Sequence, residues 1–237
     1  MTNLNSTLIL GSSKGIGFHL INSFNEQKLK TISVSRKSIE LISEYNTHFE
    51  FDLLDFENFE TLFNKIKKYN IENIIFNLGD GSEKFKNKKK QQAYSENINF
   101  NYVEKFLDMP IIELKNLKNI IFINSICRLN IANCREEYQY AKQKLFNFFK
   151  QNTVYYSKNG IRLNSITLGD VKHSNSIWNN KFNCKEDEDE YLALTKLNSN
   201  YVRLEDISKT VTFIIENNSL IGEDIILDCG HNYLLDN

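Results

Sequence analysis

The chain reads as a doubly wound α/β domain, a parallel sheet of about seven strands with helices on both faces. Short apolar runs of strand length alternate with longer stretches of helical periodicity, the pattern of successive βαβ units. The runs are mostly continuous rather than alternating apolar with polar, as strands buried on both faces require. A single proline among 237 residues disfavours an all-β fold, whose turns recruit proline and glycine together.

The first strand is expected at 7–10, followed by a helix whose apolar stripe is Ile16, Leu20, Ile21 and Phe24. Further strands are expected at 31–35, 48–52, 73–77, 119–124, 162–167 and 224–227, with helices in most of the gaps. No fixed-period repeat and no glycine-, serine- or proline-rich linker divides the chain, so 1–237 reads as one domain. The lysine-rich stretch 84–90 and the acidic run 186–190 are expected to be solvated loops or helix faces.

Lys and Arg (29) nearly balance Asp and Glu (30), which leaves no overall attraction to nucleic acid or an anionic membrane. A small molecule is the expected partner, without nucleic acid or membrane. Cys127, Cys134, Cys184 and Cys229 are scattered without a Cys-x-x-Cys pair and read as free thiols in a reducing compartment. No leader-like N-terminus and no apolar run of membrane-spanning length is present, so a cytoplasmic location is expected, and no metal site.

Gly11-Ser12-Ser13-Lys14-Gly15-Ile16-Gly17 follows the first strand directly and opens the first helix. Gly11 permits a tight turn, Gly15 lets backbone approach a phosphate, and Gly17 lets helix pack on strand. The helix N-terminus presents unpaired N–H groups to an anion. Gly11, Ser13, Lys14, Gly15, Ile16 and Gly17 are therefore candidate cofactor-binding residues. The second strand ends in Ser35-Arg36-Lys37, without the acid that would hold the ribose hydroxyls of NAD. Arg36 offers a planar fork to a 2′-phosphate and Lys14 a second positive charge, so NADP(H) is the expected cofactor.

Tyr138 and Lys142 have the i,i+4 spacing that puts both on one helix face. A phenol with an ordinary pKa near ~10 is a sluggish acid–base catalyst at neutral pH, and the Lys142 ammonium together with the cofactor's positive charge is expected to lower it. Tyr140 and Lys144 form a competing pair at the same spacing.

In the order of these motifs, over essentially the whole chain from Thr7 to about His231, the sequence resembles the short-chain dehydrogenase/reductase family in its classical form, a Rossmann-type fold. The resemblance implies that Asp52 and Leu53 lie beside the adenine and that Asn77 and Gly79 belong to the cofactor site. Phe76 stands where the family has an Asn, and Leu10 where it has a Thr. Ser125, 13 residues before Tyr138, is implied to orient a substrate carbonyl. Asn99 is implied to hold a water in a proton relay to Lys142, which also holds the nicotinamide ribose. Val171 would offer its backbone to the nicotinamide carboxamide, with Leu168 and His173 replacing the usual Pro and Thr.

Residues 173–200 correspond to the family's variable substrate loop and read as a flexible lid containing Trp178, Phe182, Cys184 and the acidic run. Trp178, Arg128, His173 and Tyr191 are candidates for the space above the nicotinamide. Cys229 replaces a Gly near the last strand, and relatives bury that strand and the preceding helix between subunits, implying a homodimer or homotetramer. The implied activity is NADP(H)-dependent interconversion of a carbonyl and a secondary alcohol, with Tyr138 as acid/base. The alternative is an NADP-binding regulatory or scaffold protein of the same fold. The glycine spacing, and the absence of a sizeable C-terminal substrate domain, disfavour an epimerase or dehydratase of the extended branch.

Overall fold

Successive side chains of a strand point to opposite faces of a sheet, and here both faces are apolar. The computed structural model describes residues 6–39, 43–129, 134–174 and 176–234, and in it that pattern produces a seven-stranded parallel sheet. The strands are β1 (Ser6–Leu10), β2 (Lys30–Ser35), β3 (Asn46–Glu50), β4 (Ile71–Phe76), β5 (Asn119–Ser125), β6 (Arg162–Leu168) and β7 (Asp224–Leu227), in the order β3-β2-β1-β4-β5-β6-β7. All seven expected strands are present. The third lies earlier than 48–52 because its register with β2 runs from Asn46 opposite Thr31 to Glu50 opposite Ser35. Asp52 is already in a turn, its Oδ1 accepting from the Leu54 N–H at 3.0 Å.

The helices are α1 (Gly15–Glu26), α2 (Phe59–Ile66), α3 (Lys88–Glu96), α4 (Tyr102–Leu107), α5 (Glu136–Lys158), α6 (Lys185–Thr195) and α7 (Leu204–Glu216). Leu8, Leu10, Ile74, Phe76 and Phe122 of the sheet pack with apolar residues of α2, α4 and α5. Ile9, Ile75 and Ile121, interleaved with them, pack with α1 and α7 on the other face. Burying both faces removes nearly every side chain of β1, β2, β4, β5 and β6 from water, which is the main stabilising term of such a fold. Phe76, the departure from the family pattern, stacks on Phe122 at 5.5 Å and meets Phe106 edge-on at 5.7 Å. An aromatic cluster thus fills the place of a polar side chain. On the far side of the sheet Arg162, buried at the start of β6, donates to the carbonyls of Ile214, Ile215, Asn217 and Leu220 at 2.7–3.1 Å and closes the C-terminus of α7.

Cys127 and Cys134 form a disulfide, against the expectation of four free thiols; Cys184 and Cys229 are free. Sequence spacing hid the pair, because the turn after β5 and the entry to α5 return close together and leave the two Cα atoms 5.7 Å apart. The lysine-rich stretch runs into α3 and is exposed. The acidic run occupies the N-terminal half of α6, where carboxylates are favoured by the helix dipole, and all but Glu188 are exposed. No helix among the described residues is long and apolar enough to cross a membrane.

Phe76→Ala removes the centre of the aromatic cluster and is expected to lower stability by about 3–5 kcal/mol. Urea unfolding of both proteins measures this as a lower midpoint at unchanged slope.

Candidate active site

β1 and β4 are neighbours in the sheet, but the helices that follow them pack on opposite faces. Such a reversal of strand order opens a crevice beyond the carboxyl ends of the strands. Its floor is backbone. The Asn77 and Leu78 N–H groups both donate to the Leu10 carbonyl at 3.0 Å, and Asn77 Nδ2 donates to the Gly11 carbonyl at 2.6 Å. A Cβ on Gly11 would come within 2.6 Å of the Leu78 nitrogen, and one on Gly17 would run into the Gly11 carbonyl oxygen. Gly11 also has φ +91°, a region that glycine alone enters freely. On the other side of the turn Ser12 Oγ donates to the Val34 carbonyl at 3.0 Å, tying it to β2.

The crevice is a cavity of about 560 Å³. Gly11, Ser13, Lys14, Gly15 and Ile16 form one wall at the start of α1, whose first turn has no side-chain cap and no acid. Arg36, Asp52 and Leu53 form the wall beyond β2 and β3, and Asn77 and Gly79 the base beyond β4. Tyr138 and Val171 lie at the opposite end. Gly17 is buried beneath the turn and acts on the cavity through packing. This is a cradle that a dinucleotide fits: bare amides at a helix N-terminus for a diphosphate, with Lys14 and Arg36 along the same cavity.

Ser125, Tyr138, Lys142 and Asn99 come together at the Tyr138 end. Ser125 lies beside the Tyr138 phenol, close enough to act on its ionisation, and its Oγ accepts from the Cys127 N–H at 3.2 Å. Lys142, one helical turn further along α5, sets its Nζ 5.7 Å from the centre of the Tyr138 ring and donates to the Ile123 carbonyl at 3.4 Å. Asn99 is fully buried in a π-helical turn, Asn97–Asn101, a local widening of the helix common at functional sites. Its amide is used by the loop after β4: Oδ1 accepts from the Asp80 N–H at 3.0 Å and Nδ2 donates to the Asp80 carbonyl at 2.9 Å. Gly79 is thereby held between Asn99 and Lys142, where a Cβ would lie 3.0 Å from Asn99 Oδ1 and 3.2 Å from Lys142 Nζ. The competing pair faces outward: Tyr140 is exposed, and Lys144 is paired with Glu96 at 2.9 Å.

The electrostatics of this group differ from the sequence expectation. Burial pushes the Tyr138 phenol up to about 12; Ser125 pulls the other way and the Asp80 carboxylate adds to the rise. Lys142 does not lower it, because burial holds the ammonium itself down at about 8. Asp80, which accepts from the Tyr94 hydroxyl at 2.8 Å, is kept below the ordinary carboxylate range despite its own burial, by hydrogen bonds from Ser82 and Tyr94 and by Lys84.

Residues 176–200 have a polar anchor that the sequence did not reveal. Asp170, just after β6, accepts at Oδ2 from Tyr191 Oη and from Lys196 Nζ, both at 2.7 Å. Lys196 is buried and also meets His231 Nδ1 at 3.0 Å. The Val202 N–H closes the arm onto the Asp170 carbonyl at 2.9 Å. Trp178 stacks on Tyr191 at 5.4 Å, with Lys181 Nζ 4.0 Å above its ring. Of the four residues expected above the nicotinamide, Trp178 and His173 line the cavity. Tyr191 is held by Asp170 and Arg128 by Asp224 at 2.6 Å, beside Thr167 and the Phe146 ring; neither lines the cavity.

A strand-order reversal with a glycine-lined helix N-terminus at one end and a Ser–Tyr–Lys group at the other defines a nucleotide-dependent oxidoreductase of the α/β class. The sequence profile described as short chain dehydrogenase matches residues 5–182, and the chain belongs to that family. No curated protein sequence matches it. Among solved structures, L-sorbose reductase from Gluconobacter frateurii, complexed with NADPH and L-sorbose, superposes with a TM-score of 0.84 at 15% identity, covering 97% of each chain. ElxO with NADP bound gives 0.84 at 21% identity over 97% of this chain and 99% of that one. A short chain dehydrogenase from Leptospira borgpetersenii with bound NAD+ gives 0.82 at 19% identity over 97% and 93%. At these identities the likeness is one of fold.

Because Lys142 is held at about 8 against an ordinary 10.5, its charged form opposes folding. That penalty is full below about pH 8 and fades as the pH rises to 10.5, since the unfolded chain binds the extra proton throughout that window. Lys142→Met is therefore expected to stabilise the protein by up to roughly 3 kcal/mol at neutral pH, with the gain lost near pH 10.5. Chemical denaturation across that pH range measures it.

Proposed function

We propose that the protein is an NADP(H)-dependent oxidoreductase that interconverts a carbonyl and a secondary alcohol. The observation that carries this reading is the grouping of Ser125 and Tyr138, with Lys142 Nζ 5.7 Å from the Tyr138 ring, at the end of the cavity away from the glycine turn. The residues fit a nicotinamide dinucleotide, which when bound supplies or accepts the hydride. Ser125 and Tyr138 would both bind the carbonyl oxygen, and Tyr138 would give it a proton as the carbon is reduced. With an ammonium at about 8, Lys142 is matched to return that proton at neutral pH. Asn99 would act by fixing the loop at Gly79 and Asp80, so that Lys142 keeps its position.

NADP(H) is preferred to NAD(H) in this reading because Arg36 and Lys14 line the phosphate side of the cavity and Ser35, not an acid, ends β2. Asp52 and Leu53 would take the adenine and Val171 the carboxamide. The structures cited above include both NADP(H) and NAD+ complexes, so the choice rests on this chain's own cations. A homo-oligomer is proposed on the exposed Phe213 of α7 and Ile226 of the edge strand β7. The regulatory alternative has one point in its favour: the loop that carries Gly81 lies over the Tyr138 ring, where a Cβ on Gly81 would make van der Waals contact at 3.6 Å.

Tyr138→Phe is expected to abolish NADPH-coupled reduction on a panel of small carbonyl compounds while NADPH binding, read by fluorescence, persists. Undiminished turnover would refute the assignment, and tight binding by wild type without turnover on a broad panel would favour the regulatory reading. Arg36→Glu is expected to weaken NADPH binding by about 10- to 100-fold, the loss of a charge-assisted phosphate contact, while NADH binding holds or improves. Isothermal titration with both dinucleotides decides it.

A further inference from the structure

His173 stands where the family has a threonine, and its side chain reaches the other end of the cavity. A Cβ on Gly15 would lie 2.8 Å from His173 Cε1 and 2.9 Å from its Nε2, so the imidazole edge rests directly on the glycine turn. The backbone of His173 is pinned for this by the next turn: its carbonyl accepts from the Ser176 N–H and from Asn179 Nδ2, both at 2.8 Å, and its N–H donates to Ser176 Oγ at 3.2 Å. His173, Ser176 and Gly15 all line the cavity.

The charge that acts on this ring is positive. Lys14 faces it from the glycine turn, and the start of α1 adds the positive end of a helix dipole. On its own segment Lys172 is paired with Glu188 and Asp170 with Lys196; Arg36, Asp52, Asp80 and Lys84 also line the cavity, with Asp80 taken up by Tyr94 and Lys84. Burial and Lys14 accordingly hold the imidazole below its ordinary range. A diphosphate seated on the Gly15 amides would place two negative charges against the same ring and reverse the balance.

We propose that His173 is a further binding residue for the cofactor's diphosphate, neutral in the free protein and imidazolium in the complex, so that dinucleotide binding takes up a proton. The inference rests on the dinucleotide reading above and adds to it a residue and a linkage that a threonine at this position could not provide. Affinity rises as the pH falls, because the complex binds more protons than its components. Histidine is the side chain whose charge changes in that range.

The test is calorimetric titration of NADPH into wild type and His173→Gln near neutral pH, in buffers of different ionisation enthalpy. Lys142 and the ligand's own phosphate titrate alike in both proteins, so the difference between them isolates His173. Wild type is expected to take up several tenths of a proton more than the variant, and its Kd to weaken roughly tenfold more between about pH 6 and pH 8. The His173 Cε1–H resonance, assigned by its loss in the variant, is expected to show a higher pKa once NADPH is added. Equal proton uptake and an unmoved resonance overturn the inference while leaving NADPH binding, and the dinucleotide reading, in place. Failure of wild type to bind NADPH or NADH at any pH overturns both.

Discussion

The carboxyl edge of this sheet depends on the backbone contact between the turns that follow β1 and β4. Gly11 and Gly17 have no side chains, so the Gly11 carbonyl can meet Asn77 Nδ2 and the helix start can lie against the strand end. That contact does two things. It brings the unpaired amides of α1 to the bottom of the crevice, and it draws in the loop from Asn77 to Asp80. The loop then contacts Asn99 and Lys142, so the two ends of the cavity are set by one joint. A methyl group at either glycine would push the loops apart and separate them.

Burial is the second theme. It raises the phenol at Tyr138 and depresses the ammonium at Lys142, so both groups are held toward their neutral forms. A structure optimised for stability alone would not bury a lysine on one carbonyl at 3.4 Å. Its retention is consistent with the proposed proton-transfer role, in which an ammonium matched to neutral pH is the useful property.

Where the chain departs from its family's pattern, tertiary contacts supply a substitute. Phe76 replaces a polar link with aromatic packing. Cys229 adopts φ +57°, the left-handed conformation that explains the glycine usual at that place, and its carbonyl accepts from the Leu197 N–H at 3.0 Å. The arm at 176–200 is fastened by Asp170, Lys196 and His231, a buried polar cluster in which each member occupies another's hydrogen-bonding capacity. Trp178 reaches the cavity from that arm, so whatever sits above the Tyr138 end is framed by a segment whose position the cluster decides.

The sequence by itself determined the seven strands, the glycine turn and the grouping of Tyr138 with Lys142. Each is a local matter: apolar runs, glycine spacing and an i,i+4 interval follow from bond geometry within a few residues. Asn99 and Ser125 were legible only through resemblance, since neither spacing nor composition marks them. The tertiary structure alone decided the Cys127–Cys134 bond, the engagement of Arg128 and Tyr191 away from the cavity, the anchoring of Lys196 and the reach of His173 to Gly15. It also set the burial that raises the Tyr138 phenol, because a side chain's charge depends on how much water remains around it. Desolvation, and pairings between residues far apart in the chain, are set by how the elements pack and leave no periodic trace in the sequence.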